Sequence, residues 1–331
     1  MLQQLLNGLQ EGSFYSLIAL AVVVVMKTTD VPNFAMSDMG LVGAYVSWSL
    51  WSKGVPMGFA IAASLVFAFV FGAVMQRIIV YPIAAGIAAG VGIVVALTPA
   101  NFGLGLIVGL AVAVGYTFWA ERRGLKTLAG GSHFPLLLST IGLAIVIVNS
   151  VQPIWGTESR NFDPVWRGKP FHIGDAILTR VQLVTIVVGV VLAAALAVFF
   201  RSPWGVRMRA IAENRSVASV LGISPSRVSM LAWGLATVIS TIAMTLHTQY
   251  NSLTPTNGES IIFAGFVAAV IGGFSSLPAA FVGGLMIGTL RGLTAHLISV
   301  SWADAVPFLV VFVVLIVKPQ GIAARGRARE V

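Results

Sequence analysis

Two ionisable residues, Asp38 and Arg291, lie well inside apolar runs of this chain, where a charge does chemistry or is paired. Arg291 sits about a dozen residues into "AAFVGGLMIGTLRGLTAHLISV", which at ~1.5 Å per helical residue is near mid-bilayer. An exposed arginine at a helix centre costs roughly 2.5–3.5 kcal/mol on insertion scales. It is therefore expected to face a wet path, an acid such as Asp38, or a subunit interface. The competing reading breaks the span at Gly292 and lets Arg291 snorkel to the interface. Facing a path, its fixed positive charge would favour solutes that carry a carboxylate. Asp38 belongs to "DVPNFAMSDMG", where Pro32 lacks an N–H and disfavours a continuous helix before it. A helix starting near Asn33 would aim its positive end at a carboxylate or carbonyl, as broken transporter helices do. The alternative is a plain cytoplasmic turn with Asn33 as its N-cap.

Enzymatic equipment is missing. His133, His172, His247 and His296 are scattered, with no carboxylate at metal-ligand spacing, and are read as interfacial or loop residues. HExxH, GxSxG and Walker A patterns are absent, so neither hydrolysis nor ATP chemistry is expected of this chain. "GLGLIVG" lacks the spacing of a dinucleotide fingerprint. Zero cysteines exclude disulfides and thiolate sites.

The elements that must position Asp38 and Arg291 follow from composition. Hydrophobic residues make up 57% of the 331 and charged residues 9%, against roughly 25% charged in a soluble domain. Such a chain cannot cover a water-facing surface. Apolar runs recur near 10–26, 34–50, 56–76, 83–98, 101–119, 134–152, 180–200, 228–248, 261–275, 279–298 and 303–317. Those near 83–98 and 261–275 are short enough to be re-entrant or tilted. The expected fold is all-α, a polytopic integral membrane protein with about 9–11 transmembrane helices, because backbone in hydrocarbon has no other partners. The first apolar run has no basic segment before it and no small-residue cleavage site after it, so it is expected to remain as a span.

The net charge of +9 is read as loop bias, not nucleic-acid binding, since no recognition module accompanies it. Placing 201–227 in the cytoplasm puts Lys27, Arg77, the 122–126 cluster and the C-terminal arginines on the same side. Lys53, Arg160, Arg167, Lys169 and Arg180 fall outside. The N-terminus is then external and the C-terminus cytoplasmic. Gly86 with Gly90, Gly105 with Gly109, and Gly284, Gly288 and Gly292 have small-xxx-small spacing, which clears a helix face for a neighbouring backbone.

Between two apolar runs stands the basic, alanine-rich "RMRAIAENRSVASVLGISPSRV", with Gly222 as a helix stop and Pro225 soon after. It is expected to form a short cytoplasmic helix from about 210 to 222. One reading has it lying on anionic membrane lipid; the sharper one makes it a docking helix for a cytoplasmic partner.

Five ordered motifs resemble one family, the permease subunits of branched-chain amino-acid (Liv-type) ABC importers. "NGLQEGSFYSLIAL" is similar to its NGL-xx-G-xx-YAL pattern, and "NFAMSDMGLVGAYVSW" to NFAHGE…GAY with Asp38 at the acid. The stretch ending in Leu221–Ile223 resembles its EAA-like coupling segment, "AAVIGGFSSLPAAFVGG" its GGxGSxxGAxxGG element, and "KPQGI" its terminal PxG. Departures are Met36-Ser37 for His-Gly, Ser275 for Gly, Ser216-Val217 for Glu-Ala, and Arg291 where many relatives carry an acid. Residues 84–131 look like a two-span insertion into a single permease domain covering 1–331.

The resemblance implies a division of labour. A second permease subunit completes the path, two ATPase subunits bind ATP, and a periplasmic binding protein delivers and largely selects the solute. No cofactor is implied in this chain, and the location implied is the bacterial inner membrane. The cargo implied is a branched-chain amino acid or a related amide, urea or carboxylate. Coupling to the ATPase falls to Glu213, Asn214, Arg215, Ala218, Leu221 and Gly222, with Glu213 and Arg215 at a groove rim and Ala218 and Leu221 inside it. The path falls to Asn33, Phe34, Asp38, Ser275, Ser276 and Arg291. The rival class, an ion-gradient-driven secondary transporter, calls for repeated interrupted helices and several intramembrane acids. Neither is visible in the sequence.

Overall fold

Helix α1 (Leu2–Thr29) runs through the middle of the protein, with 83% of its apolar stretch buried. The computed structural model describes residues 1–80, 133–162, 168–174, 176–274 and 276–318. After α1 come α2 (Met36–Ser52), α3 (Met57–Val80) and α4 (His133–Trp155). A small antiparallel hairpin follows, β1 (Phe171–Ile173) paired with β2 (Ala176–Leu178), Phe171 opposite Leu178. The chain continues through α5 (Arg180–Phe199), α6 (Pro203–Glu213), α7 (Arg215–Val220), α8 (Pro225–Tyr250), α9 (Asn257–Ile271), α10 (Leu277–Leu297) and α11 (Val300–Val317).

Among the described residues seven helices are long and apolar enough to cross a membrane: α1, α3, α4, α5, α8, α10 and α11. Helices α2 and α9, with 17 and 15 residues, are shorter. The expected spans near 83–98 and 101–119, the insertion at 84–131 and the pairs Gly86/Gly90 and Gly105/Gly109 lie outside the described residues. Only α1 and α8 are largely enclosed, at 83% and 72%, while the other five bury 17–33% of their apolar stretches. The rest of each outer helix faces outward as apolar surface, as lipid requires.

Small residues set the packing. Helices α1 and α10 run antiparallel, Gly8 against Thr289 and Gly12 against Leu285. A Cβ on Gly288 would meet the Gly12 nitrogen at 2.1 Å. The face expected from Gly284, Gly288 and Gly292 is therefore a helix contact, and its partners are Ser16, Gly12 and Gly8. Helix α8 uses hydroxyl residues in the same way: Ser240 and Thr241 receive Gly40 and Gly43 of α2, and Trp233 and Thr237 receive Gly72 of α3. Its Thr237 hydroxyl donates back to the Trp233 carbonyl at 2.8 Å, whereas the Ser240 and Thr241 hydroxyls and the Trp233 indole nitrogen have no hydrogen-bond partner among the described residues.

Each end of the bundle is tied. At one end Gln3 exchanges two hydrogen bonds with the Ile177 backbone, at 3.1 and 2.7 Å, and Gln182 donates to Asn7 at 2.8 Å. Thr179 and Gln182 also form a capping box that starts α5. At the other end Arg215 donates to the Thr28 carbonyl at 3.4 Å, satisfying one of the free carbonyls that close α1. Burial pulls the Arg215 guanidinium below its usual range, and the Asp30 carboxylate opposes that shift.

Candidate functional site: a re-entering segment, a polar cavity and a basic helix pair

Helix α1 ends at Thr29 with Asp30 in the left-handed region (φ 56°). The chain then turns back into the protein, and Val31, Asn33 and Ala35 are all buried. Asn33 does not cap α2: its Oδ1 accepts from the Ala35 N–H at 2.9 Å, ordering the turn, and the helix begins only at Met36. A helix does start near Asn33, three residues on, and Asn33 orders its entry without capping it as the plain-turn reading required. The ring of Phe34 lies 4.9 Å from Phe266, which lies 5.5 Å from Phe274, so an aromatic row links this segment to the α9–α10 turn. In that turn Gly273 and Phe274 have positive φ, and Ser276 caps α10 by accepting from Ala279 N–H at 3.3 Å. Ser275 lies outside the described residues.

Asp38 sits in the first turn of α2 and faces the first turn of α9. The Ser37 hydroxyl donates to the Gly258 carbonyl at 2.9 Å, and a Cβ on Gly258 would fall 1.9 Å from Asp38 Oδ1. Two helix N-termini thus converge on one buried carboxylate, whose Oδ1 has no hydrogen-bond partner among the described residues. Helix dipoles oriented this way favour a negative charge, while burial and the Glu259 carboxylate in the same first turn of α9 oppose it.

Arg291 is not near this carboxylate. Because α10 runs antiparallel to α1 with Gly288 against Gly12, Arg291 is placed beside Glu11 instead. Its Nη1 is 2.9 Å from Glu11 Oε2 and donates to the Tyr15 hydroxyl at 2.6 Å; its Nη2 is 2.5 Å from Asp304 Oδ1. Arg291 does pair with acids, but these are Glu11 and Asp304, not Asp38. A polar cavity of about 400 Å³ opens beside the pair, lined by Glu11, Tyr15, His247, Asn251, Asn257, Ser260 and Arg291 among others. His247 is thus not a loop residue; it sits in the last turn of α8 with its Nε2 3.0 Å from the Asn251 amide. Helix α9 separates the two loci, Gly258 toward Asp38 and Asn257 with Ser260 toward the cavity. Glu11 does not stand out in the sequence because it lies near the start of its apolar run. Its place one turn before Tyr15 was the available signal.

The basic segment is two helices, not one from 210 to 222. Asn214 leaves the helical conformation (φ −154°, ψ 106°), ending α6 and capping α7 by accepting from Val217 N–H at 3.0 Å. An asparagine that can cap a new helix competes with continuation of the old one. Gly222, with φ 81°, stops α7 as expected. Glu213 and Asn214 are exposed and Arg215 is half-buried against α1. Ala218 is 2% exposed and packs within this chain, whereas Leu221 is 73% and Val220 88% exposed. The outward apolar face is therefore Val217, Val220 and Leu221, and the expectation that Ala218 points at a partner is corrected.

Apolar spans around a buried core helix define a multi-pass membrane protein. A family model described as "Branched-chain amino acid transport system / permease component" matches residues 4–315, and the chain belongs to that family. It is 29% identical to the high-affinity branched-chain amino acid transport system permease protein LivH of Escherichia coli K12, covering 100% of this chain and 97% of that protein. Identity to the corresponding permease protein BraD of Pseudomonas aeruginosa is 28%, over 100% and 98%. The ribose import permease protein RbsC of Bacillus subtilis is 30% identical over 157 residues, 45% of this chain and 46% of that protein. No solved structure matches. The family is one of transport permeases, not enzymes, and its members work as components of larger transport systems.

Proposed function

We propose that this chain is the membrane permease subunit of an ABC importer in the bacterial inner membrane. It moves branched-chain amino acids, or a related small polar amide, urea or carboxylate, into the cytoplasm. Separate ATPase subunits, two per assembly, hydrolyse the ATP; a second permease subunit completes the path and a periplasmic binding protein delivers solute. The N-terminus is external and the C-terminus cytoplasmic. The observation that carries this reading is the α6–α7 pair, which presents Val217, Val220 and Leu221 outward while Arg215 grips the end of the core helix. A chain with no motor of its own needs such a face to receive force. Elsewhere in the chain the buried Asn33 and Asp38, with the turn capped by Ser276, supply polar groups for the path.

The test is reconstitution. The chain assembled with its ATPase, second permease and binding protein in proteoliposomes should take up L-leucine only with ATP inside the ATPase-accessible compartment. Uptake driven by an ion gradient without ATP would place the chain among secondary transporters instead.

A further inference from the structure

The polar cavity joins groups of opposite character. The carbonyl end of α8 closes it at Asn251, and the amide end of α9 opens on it at Asn257 and Ser260. Helix ends carry about half a unit charge each, negative at the carbonyl end and positive at the amide end. Glu11 adds a carboxylate on the α1 side. Its Oε2 is engaged by Arg291, and two acids, Glu11 and Asp304, share that one guanidinium. Asp304 stands outside the cavity lining, so the cavity itself holds one carboxylate and one guanidinium, Glu11 and Arg291, and these balance. A volume of about 400 Å³ suits a solute of amino-acid size, within the ~300–1,000 Å³ of small-molecule sites. Glu11 lies nine residues into α1 from Leu2, at the end that carries the Gln3–Ile177 clasp and the hairpin, the external end in the orientation proposed above.

We propose that this cavity binds a small zwitterion, its ammonium group held by Glu11 and the carbonyl end of α8 and its carboxylate by Ser260 and the amide end of α9. The site rests on the importer reading for its place on the outer side of the path. It discriminates by charge: a solute without an ammonium group leaves Glu11 and the carbonyl end of α8 unmatched, and one without a carboxylate leaves Ser260 and the amide end of α9 unmatched.

The assembled importer in nanodiscs, without binding protein or ATP, is probed by saturation-transfer NMR with L-leucine, isoamylamine and isocaproate. Leucine should bind saturably, and isoamylamine and isocaproate each at least about tenfold more weakly than leucine, as expected when a charge-assisted hydrogen bond is lost. Glu11→Gln should lower leucine and isoamylamine binding by a similar factor and leave isocaproate unchanged. Ser260→Trp, which fills the cavity without touching the Arg291 pairs, should abolish the leucine signal and serves if Glu11→Gln fails to fold. Isocaproate binding as well as leucine, or a leucine signal that survives Ser260→Trp, overturns the proposal. ATP-dependent uptake by the same complex separates the two readings. Uptake without binding here removes only this site; binding here without ATP-dependent uptake removes only the importer reading.

Discussion

Gly288 and Gly12 touch backbone to backbone: a Cβ on Gly288 would lie 2.1 Å from the Gly12 nitrogen and 2.4 Å from the Gly8 carbonyl oxygen. Nothing flexible stands there to yield. Gly288→Ala should therefore push α10 off α1 and destabilise the protein by roughly 1–3 kcal/mol, the range for overpacked cores. Gly142, with open space around it, is the control. Thermal unfolding in detergent of Gly288→Ala and Gly142→Ala should show a loss only for the first.

Gly258 and Asp38 form a second close approach, at the meeting of two helix starts. Gly258→Ala should cut uptake strongly, and Asp38→Ala combined with it should restore packing, since the clash is with that carboxylate. A double-mutant cycle on stability should give a coupling of about 1 kcal/mol or more. Strict additivity would show that the two do not interact. For the path role, Asn33→Ala and Asp38→Ala should each reduce uptake at normal protein level. If both leave rate and substrate range intact, the segment is only structural.

Arg291→Gln leaves Glu11 without its cation and removes a donor to Tyr15, whereas Asp304→Asn removes one acid that is 63% exposed. Exposed pairs contribute about 0–1 kcal/mol because water screens them. The arginine change should cost clearly more, and melting temperatures of the two variants test the order. Equal losses would mean that Glu11 and Tyr15 do not depend on Arg291.

At the coupling face Val220→Asp or Leu221→Asp should leave the chain folded and reduce co-purification of the ATPase along with uptake. Ala218→Glu should instead lower the stability of this chain itself, because Ala218 is buried within it. Asn214→Ala removes the cap of α7, at about 0.5–2 kcal/mol, and should weaken ATPase retention by disordering that helix. Pull-down yields against melting temperature separate the cases.

The span positions were legible because lipid demands long apolar runs, and most described helices fall within a few residues of them. Gly222 was legible because a helix stop needs a residue that accepts positive φ. The Gly284–Gly288–Gly292 face could be seen in the sequence, but not that it meets Gly8 and Gly12, since periodicity marks a face without its partner. Arg291's real partners were hidden for the same reason: 280 residues separate it from Glu11, and only the antiparallel seam brings them together. The break at Asn214 was missed because alanine-rich flanks favour continuation, and a single capping side chain outweighed them.

Helix α1 runs from the basic helix pair to the polar cavity, as α8 does beside it. Its last turn is gripped at Thr28 by Arg215 of the coupling pair, and Glu11 lines the polar cavity roughly 25 Å away along the same helix, at ~1.5 Å per residue. With no proline or kink between them and the Gly8–Gly12 seam along its outer half, α1 is a stiff rod clamped at both ends. A displacement of α7 that carries Thr28 along the axis would be passed along this rod toward Glu11, so in the importer reading proposed above the cavity would move with the basic helix pair.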